Sequence, residues 1–189
     1  AGSAEATIMA TGGGSGIYHP CLSPRNQLGE GIALAAEAGA DPANLEFVQF
    51  MLVCREEEDV RFLPLEHLPP KGSLVDREGR DLLPQALPRE EDRERALRER
   101  RRHYPFSCLD TSWTIDLAVA EEWRAGAPAR WRMSGTEQPA EVLHAAHAFN
   151  GGLIIDEHAS TTLPGLYAAG ETAAGPHGAN RIGGCMMTA

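Results

Sequence analysis

The residues of this chain best suited to chemistry gather toward its C-terminal end. Gly165-Leu166-Tyr167-Ala168-Ala169-Gly170-Glu171 is followed by His177-Gly178-Ala179-Asn180-Arg181-Ile182-Gly183-Gly184. This order predicts a strand, a glycine-rich turn and the start of a helix, with a carboxylate at the strand's end, and that layout holds a nucleotide. Ala168, Ala169 and Gly170 let the backbone approach a bulky ligand. Glu171 can accept hydrogen bonds from ribose-like hydroxyls, and Gly183-Gly184 permit close contact at a helix N-terminus. His147, in His147-Ala148-Phe149-Asn150-Gly151-Gly152, can hold or release a proton near neutral pH. A histidine among apolar residues is nevertheless more often a satisfied structural group than a ligand.

Further motifs precede these. Ala10-Thr11-Gly12-Gly13 follows the apolar run of residues 6–9, and Leu28-Gly29-Glu30-Gly31-Ile32-Ala33-Leu34-Ala35 leads into Glu37-Ala38-Gly39-Ala40. Glu46-Phe47-Val48-Gln49-Phe50 comes next, and then His147 ahead of Gly151-Gly152. In this order the motifs resemble those of the succinate dehydrogenase/fumarate reductase flavoprotein family, which includes aspartate oxidase. The resemblance implies an α/β fold, a partial FAD-binding (Rossmann-like) layer with an inserted α+β capping domain. It implies FAD as cofactor and hydride transfer between the flavin and a carbon of a small organic substrate, a proton being exchanged at the adjacent carbon.

The same resemblance implies roles residue by residue. Arg181 matches the family's substrate-binding arginine, whose planar fork suits a carboxylate, and His147 matches its substrate histidine. Arg89, in Leu87-Pro88-Arg89-Glu90, resembles a remnant of the family's proton-relay arginine stretch, but the spacer after the hairpin is shorter than the family's, and among its many neighbouring arginines it reads rather as a surface arginine. Thr11, Gly12 and Gly13 fall on the flavin-contacting turn. Glu171 matches a glutamate that contacts the flavin nucleotide, and Glu30 an aspartate of similar role, though an acid there also serves as a favourable first-turn charge. Met186 and Met187, after the double glycine, replace a more polar family segment and can contact the flavin through their backbone amides.

Two departures shape the expected substrate. After Phe50 the family has histidine-proline-threonine where this chain has Met51-Leu52-Val53, and a later family threonine falls at about Leu65. Each lost polar partner costs a dicarboxylate about 1–3 kcal/mol, which argues against succinate, fumarate or aspartate and for a less polar substrate or a decayed site. The family's opening Gly-x-Gly-x-x-Gly turn is not found, because Gly12-Gly13-Gly14-Ser15-Gly16 has other spacing and runs into Tyr18-His19-Pro20. The expectation is the middle and C-terminal part of a larger flavoenzyme, binding FAD weakly or not at all by itself. The alternative reading is a non-catalytic interaction module with vestigial flavin motifs.

With 17 basic and 27 acidic residues the formal charge is −10, which disfavours nucleic acid and anionic membranes as partners. The expected partners are a small substrate, a carboxylate among the candidates, and an electron-transfer subunit. Cys21, Cys54, Cys108 and Cys185 lie far apart, suggesting neither a metal site nor a disulfide framework. With no apolar run of membrane-spanning length, a reducing, cytoplasmic location is expected. Cys185 reads as a small buried residue.

Positioning these residues calls for a flavin-binding layer at 1–54, a capping domain at 55–140 and a return at 141–189. Residues 29–38 predict a helix capped by Gly39, and residues 45–53 a strand. Residues 73–83 predict a hairpin turning at Gly79. The charge run of 89–103 suits an exposed, solvated helix. Residues 112–124 predict a helix with Trp113, Leu117, Ala120 and Trp123 on its apolar face. Residues 153–155 and 166–169 read as strands, and His144 as a surface histidine.

Overall fold

The computed structural model describes residues 4–57, 59–63, 68–69, 72–133 and 140–174. In chain order they form β1 (Thr7–Met9), α1 (Glu30–Glu37), β2 (Pro42–Ala43), β3 (Val48–Glu56), β4 (Asp59–Phe62), β5 (Gly72–Val75), α2 (Leu82–Ala86), α3 (Glu90–Arg100), α4 (Trp113–Arg124), β6 (Ala129–Met133), β7 (Ala140–Phe149), β8 (Gly152–Leu153) and β9 (Leu166–Ala168). Two units result, one from residues up to 49 and from 146 onward, the other from 50 to 145.

In the first unit β1 and β9 pair in parallel, Thr7 opposite Leu166 and Met9 opposite Ala168. Parallel strands deliver both carboxyl ends to one edge, where ligands of open α/β sheets bind. The turn of residues 10–13 leaves one end, and the 3-10 turn Gly170–Thr172 leaves the other. Helix α1 is alanine-rich, as good helix formers favour, and ends where Gly39 takes a φ of 105°. Its buried Ile32 and Ala35 pack with Phe149, Leu153, Leu166 and Ala168. The strand expected from residue 45 begins at Val48, because Asn44, with φ 59°, and Phe47 first close a turn through Phe47 N–H to Asn44 O, 3.0 Å.

The second unit is built on a five-stranded sheet in the order β4-β3-β7-β6-β5. β3 with β4, β5 with β6 and β6 with β7 are antiparallel. Leu82, Leu83, Ala96, Leu97, Ile115 and Val119 of the three helices share a core with Leu52, Leu74, Trp131 and Val142. Each large apolar side chain in it contributes about 1.5–3 kcal/mol of burial.

Three local expectations change here. The hairpin expected over residues 73–83 is cut short: the turn at Gly79 forms, with φ 81°, and closes on a single antiparallel bridge between Val75 and Asp81, but the chain then enters α2. Pro84 has no N–H for a ladder and suits a first helical turn. The charge run of α3 is not wholly solvated, for Arg100 is fully buried beside Ala96 and Leu97. Helix α4 turns the opposite face inward. Ile115, Asp116, Ala118 and Val119 are buried, while Trp113, Leu117 and Trp123 are 40%, 43% and 50% exposed. Asp116 draws that face inward by pairing with Arg100, Nε to Oδ2 3.0 Å.

Candidate functional site

The first unit brings four separately read motifs together. Beyond β1, Gly12 takes a φ of 80°, a conformation suited to glycine. Its N–H donates to Thr172 Oγ1 at 3.0 Å, and Thr11 Oγ1 lies 3.3 Å from the same hydroxyl. The ends of β1 and β9 are thus tied by one threonine. Gly13 is buried against the next element: a Cβ there would stand 2.7 Å from Glu171 Cδ and 2.9 Å from Phe149 Cβ. Glu171, half-buried on the 3-10 turn, accepts the Phe149 N–H at Oε1, 2.8 Å. Glu30 is exposed at the first turn of α1 behind the left-handed Gly29.

His147 lies near the end of β7, two residues before Phe149. Its backbone is fixed from several directions. Ser23 Oγ donates to His147 O at 3.0 Å and in turn accepts from the buried Ser15 Oγ at 2.8 Å. The neighbouring Ala146 exchanges backbone hydrogen bonds with Pro20 O and Leu22 N–H, 3.1 and 2.8 Å. Burial pushes the imidazole below the usual histidine value, and the Glu171 charge works in the opposite sense. The net direction favours a neutral ring at physiological pH.

Thr172, Ser15 and Ser23 were not legible as site residues. Single hydroxyls in a turn carry no spacing signal, and only the position of Thr172 directly after Glu171 hints at its role. Arg89 belongs to the second unit, at the N-terminal boundary of α3. It is 75% exposed and lies 3.4 Å from Glu91 and 3.7 Å from Asp92. Met51, Leu52 and Val53 are all buried, and Leu52 belongs to the second unit's apolar core. Arg181, Met186, Met187, Cys185 and Leu65 lie outside the described residues.

The first unit thus ends a parallel strand pair in glycine turns, with a carboxylate held between them. A family model described as "FAD binding domain" matches residues 1–187. The chain is 35% identical over 191 residues to L-aspartate oxidase of Pseudomonas aeruginosa, covering 95% of this chain and 36% of that protein. It is 33% identical over 194 residues to the L-aspartate oxidase of Streptomyces coelicolor, covering 95% and 33%. Among solved structures, Mycobacterium smegmatis Sdh1 in complex with UQ1 superposes with a TM-score of 0.68 at 24% identity, covering 98% of this chain and 34% of that one. A quinol-fumarate reductase with menaquinol molecules gives 0.62 at 19% identity, covering 88% and 34%. The chain therefore spans about a third of the length of these relatives.

The chain belongs to the succinate dehydrogenase/fumarate reductase flavoprotein family, a family of FAD-binding oxidoreductases, and FAD is its cofactor. The residues present fit that group. The ends of β1 and β9 carry small residues, and among the described residues a Cβ built at Gly170 meets nothing within 4 Å.

Proposed function

We propose that this chain forms part of an FAD-dependent oxidoreductase acting on a small organic substrate. The observation that carries the reading is the Phe149 N–H to Glu171 hydrogen bond. It joins the strand bearing His147 to the carboxylate and, through Gly13, to the turn after β1. Thr11, Gly12, Gly13, Glu30 and Glu171 would hold the cofactor, with Met186 and Met187 adding backbone contacts. Bound FAD supplies hydride exchange with a substrate carbon.

The chain's own residues orient the substrate and manage its proton. Neutral His147, whose backbone carbonyl is held by Ser23, presents a hydrogen-bonding nitrogen to the substrate, and Arg181 pairs with a substrate carboxylate. Arg89, whose present pairs are exposed and weak, is assigned the proton transfer implied by the family order. Residues 55–140 take the capping role, and an electron-transfer subunit is the expected partner.

The test is steady-state turnover of the FAD-loaded protein carrying this chain, compared with its His147→Ala variant. Flavin content should be unchanged while kcat falls about 10²–10⁴-fold, the usual range for a removed acid–base group. Unchanged kcat would remove His147 from the reaction.

A further inference from the structure

The ladder between β1 and β9 ends before the glycine turn does. Ala169 N–H still donates to Met9 O at 2.9 Å, one step past the last paired residues, Met9 and Ala168. Gly12 then swings into the left-handed region at φ 80°, and both of its backbone groups turn to one side chain. Its N–H donates to Thr172 Oγ1 at 3.0 Å, and its carbonyl oxygen accepts from the same hydroxyl at 3.3 Å. Thr11 Oγ1 lies 3.3 Å from that hydroxyl as well. A hydroxyl has one proton and two lone pairs. Donating to Gly12 O while accepting from Gly12 N–H and from the Thr11 hydroxyl uses all of them, inside a residue that is fully buried.

The neighbouring contacts leave this turn little freedom. Glu171, one residue before Thr172, fills the space that a Cβ on Gly13 would need, and accepts the Phe149 N–H. On the opposite side Thr11 packs onto Gly31 of α1, where a Cβ would fall on the threonine side chain. Two adjacent residues of the 3-10 turn therefore grip three successive residues of the turn after β1. The tie itself is buried, whereas Thr11 remains exposed and Gly12 partly so, which keeps one face of the turn open to a ligand.

We propose that Thr172 is a positioning residue of the FAD site: its hydroxyl fixes the backbone of Thr11 and Gly12, and with it the place of Glu171, before the cofactor arrives. Order built in during folding is not lost again at binding, which raises affinity without a new contact to the ligand. A methyl group in place of the hydroxyl deprives Gly12 of both partners and releases the turn. The inference rests on the assignment of Thr11, Gly12 and Glu171 to FAD in the proposed function.

The experiment compares the wild-type protein carrying this chain with its Thr172→Val and Thr172→Ser variants, as apoprotein and with FAD. Valine keeps the shape and removes the hydroxyl; serine keeps the hydroxyl. The Kd for FAD should rise about tenfold in Thr172→Val, for two lost hydrogen bonds, and stay within about twofold of wild type in Thr172→Ser. The visible circular dichroism of the bound flavin, which a loss of global stability alone would not alter, should change in the valine variant and not in the serine one. Hydrogen exchange at the Gly12 amide of the apoprotein should quicken in Thr172→Val only. Thr172→Ala carries the same measurements if the valine variant does not fold. An unchanged Kd and flavin spectrum in the folded variant lacking the hydroxyl overturn this inference and leave the oxidoreductase reading standing, as does a serine variant as weak as the valine one. Wild-type protein that binds no FAD overturns both.

Discussion

His147 and Glu171 are coupled by charge, and the coupling has a measurable sign. Burial lowers the His147 pKa below 6.5, and Glu171 partly opposes that. A histidine with a depressed folded value contributes stability that is fully present above the unfolded value near 6.5 and is lost as pH falls through the folded value. Proton NMR should therefore show His147 titrating below 6.5, and Glu171→Gln should lower it further; a value at or above 6.5 in the wild type contradicts this environment. Cys54 gives a second residue-level test. Burial, assisted by the Glu56 charge, pushes its thiol up to about 11, so almost no thiolate exists at neutral pH. Iodoacetamide should modify it about a hundredfold or more slowly than the exposed Cys108, read by mass spectrometry. Residues of this kind were unevenly legible. Glu171 and His147 announce themselves within glycine-bearing motifs, whereas Ser15, Ser23 and Thr172 act through single hydroxyls that no pattern marks. His144 and Arg100 looked like surface charge and proved to be a network, because their partner Asp116 comes from a different element.

At the scale of elements, the instructive case is α4. Its apolar stripe at residues 113, 117, 120 and 123 is regular enough to predict a core face, yet the helix packs through Ile115, Ala118 and Val119. Hydrophobic periodicity could not count Asp116 as an inward residue, since its burial is made tolerable by Arg100 and His144, which lie on other elements. Replacing Asp116 with alanine should destabilise the chain by about 3–5 kcal/mol, because a buried guanidinium loses its counter-charge. Urea denaturation measures this, and a loss under 1 kcal/mol would show the pair to be dispensable. Helix α1 offers the converse test. Glycine to alanine inside a helix ordinarily gains about 1 kcal/mol, but a Cβ at Gly31 falls within the Thr11 side chain. Gly31→Ala should therefore destabilise by about 1–3 kcal/mol as the turn after β1 is displaced, and Thr11→Ser, which removes one of the crowding atoms, should recover part of the loss. The shortened hairpin at 73–83 carries the same lesson in miniature: the turn chemistry of Asp76 and Gly79 was readable and Val75 bridges Asp81, but whether a strand or a helix follows depends on Pro84 and on where Leu82 and Leu83 find a core.

For the whole molecule, the α/β class and the family were legible because the motifs recur in family order across nearly the entire chain, and the match over residues 1–187 agrees. The limits of the two units were harder to read. β3 and β7 run unbroken through residues 49–50 and 145–146, and a continuous strand gives no composition signal where one unit hands over to the next. Among the described residues no helix is long and apolar enough to cross a membrane. The apolar replacements at 51–53 are part of the second unit's packing, which explains why a sequence can lose polar family positions and keep its fold. The central claim is that this chain works as part of a flavin-dependent oxidoreductase. The most direct test is the flavin content and anaerobic reductive titration of the protein carrying it, followed by absorbance. The account predicts stoichiometric FAD that is bleached by reductant and reoxidised by an acceptor; protein purified and reconstituted without FAD bound would contradict it and favour a non-catalytic interaction module.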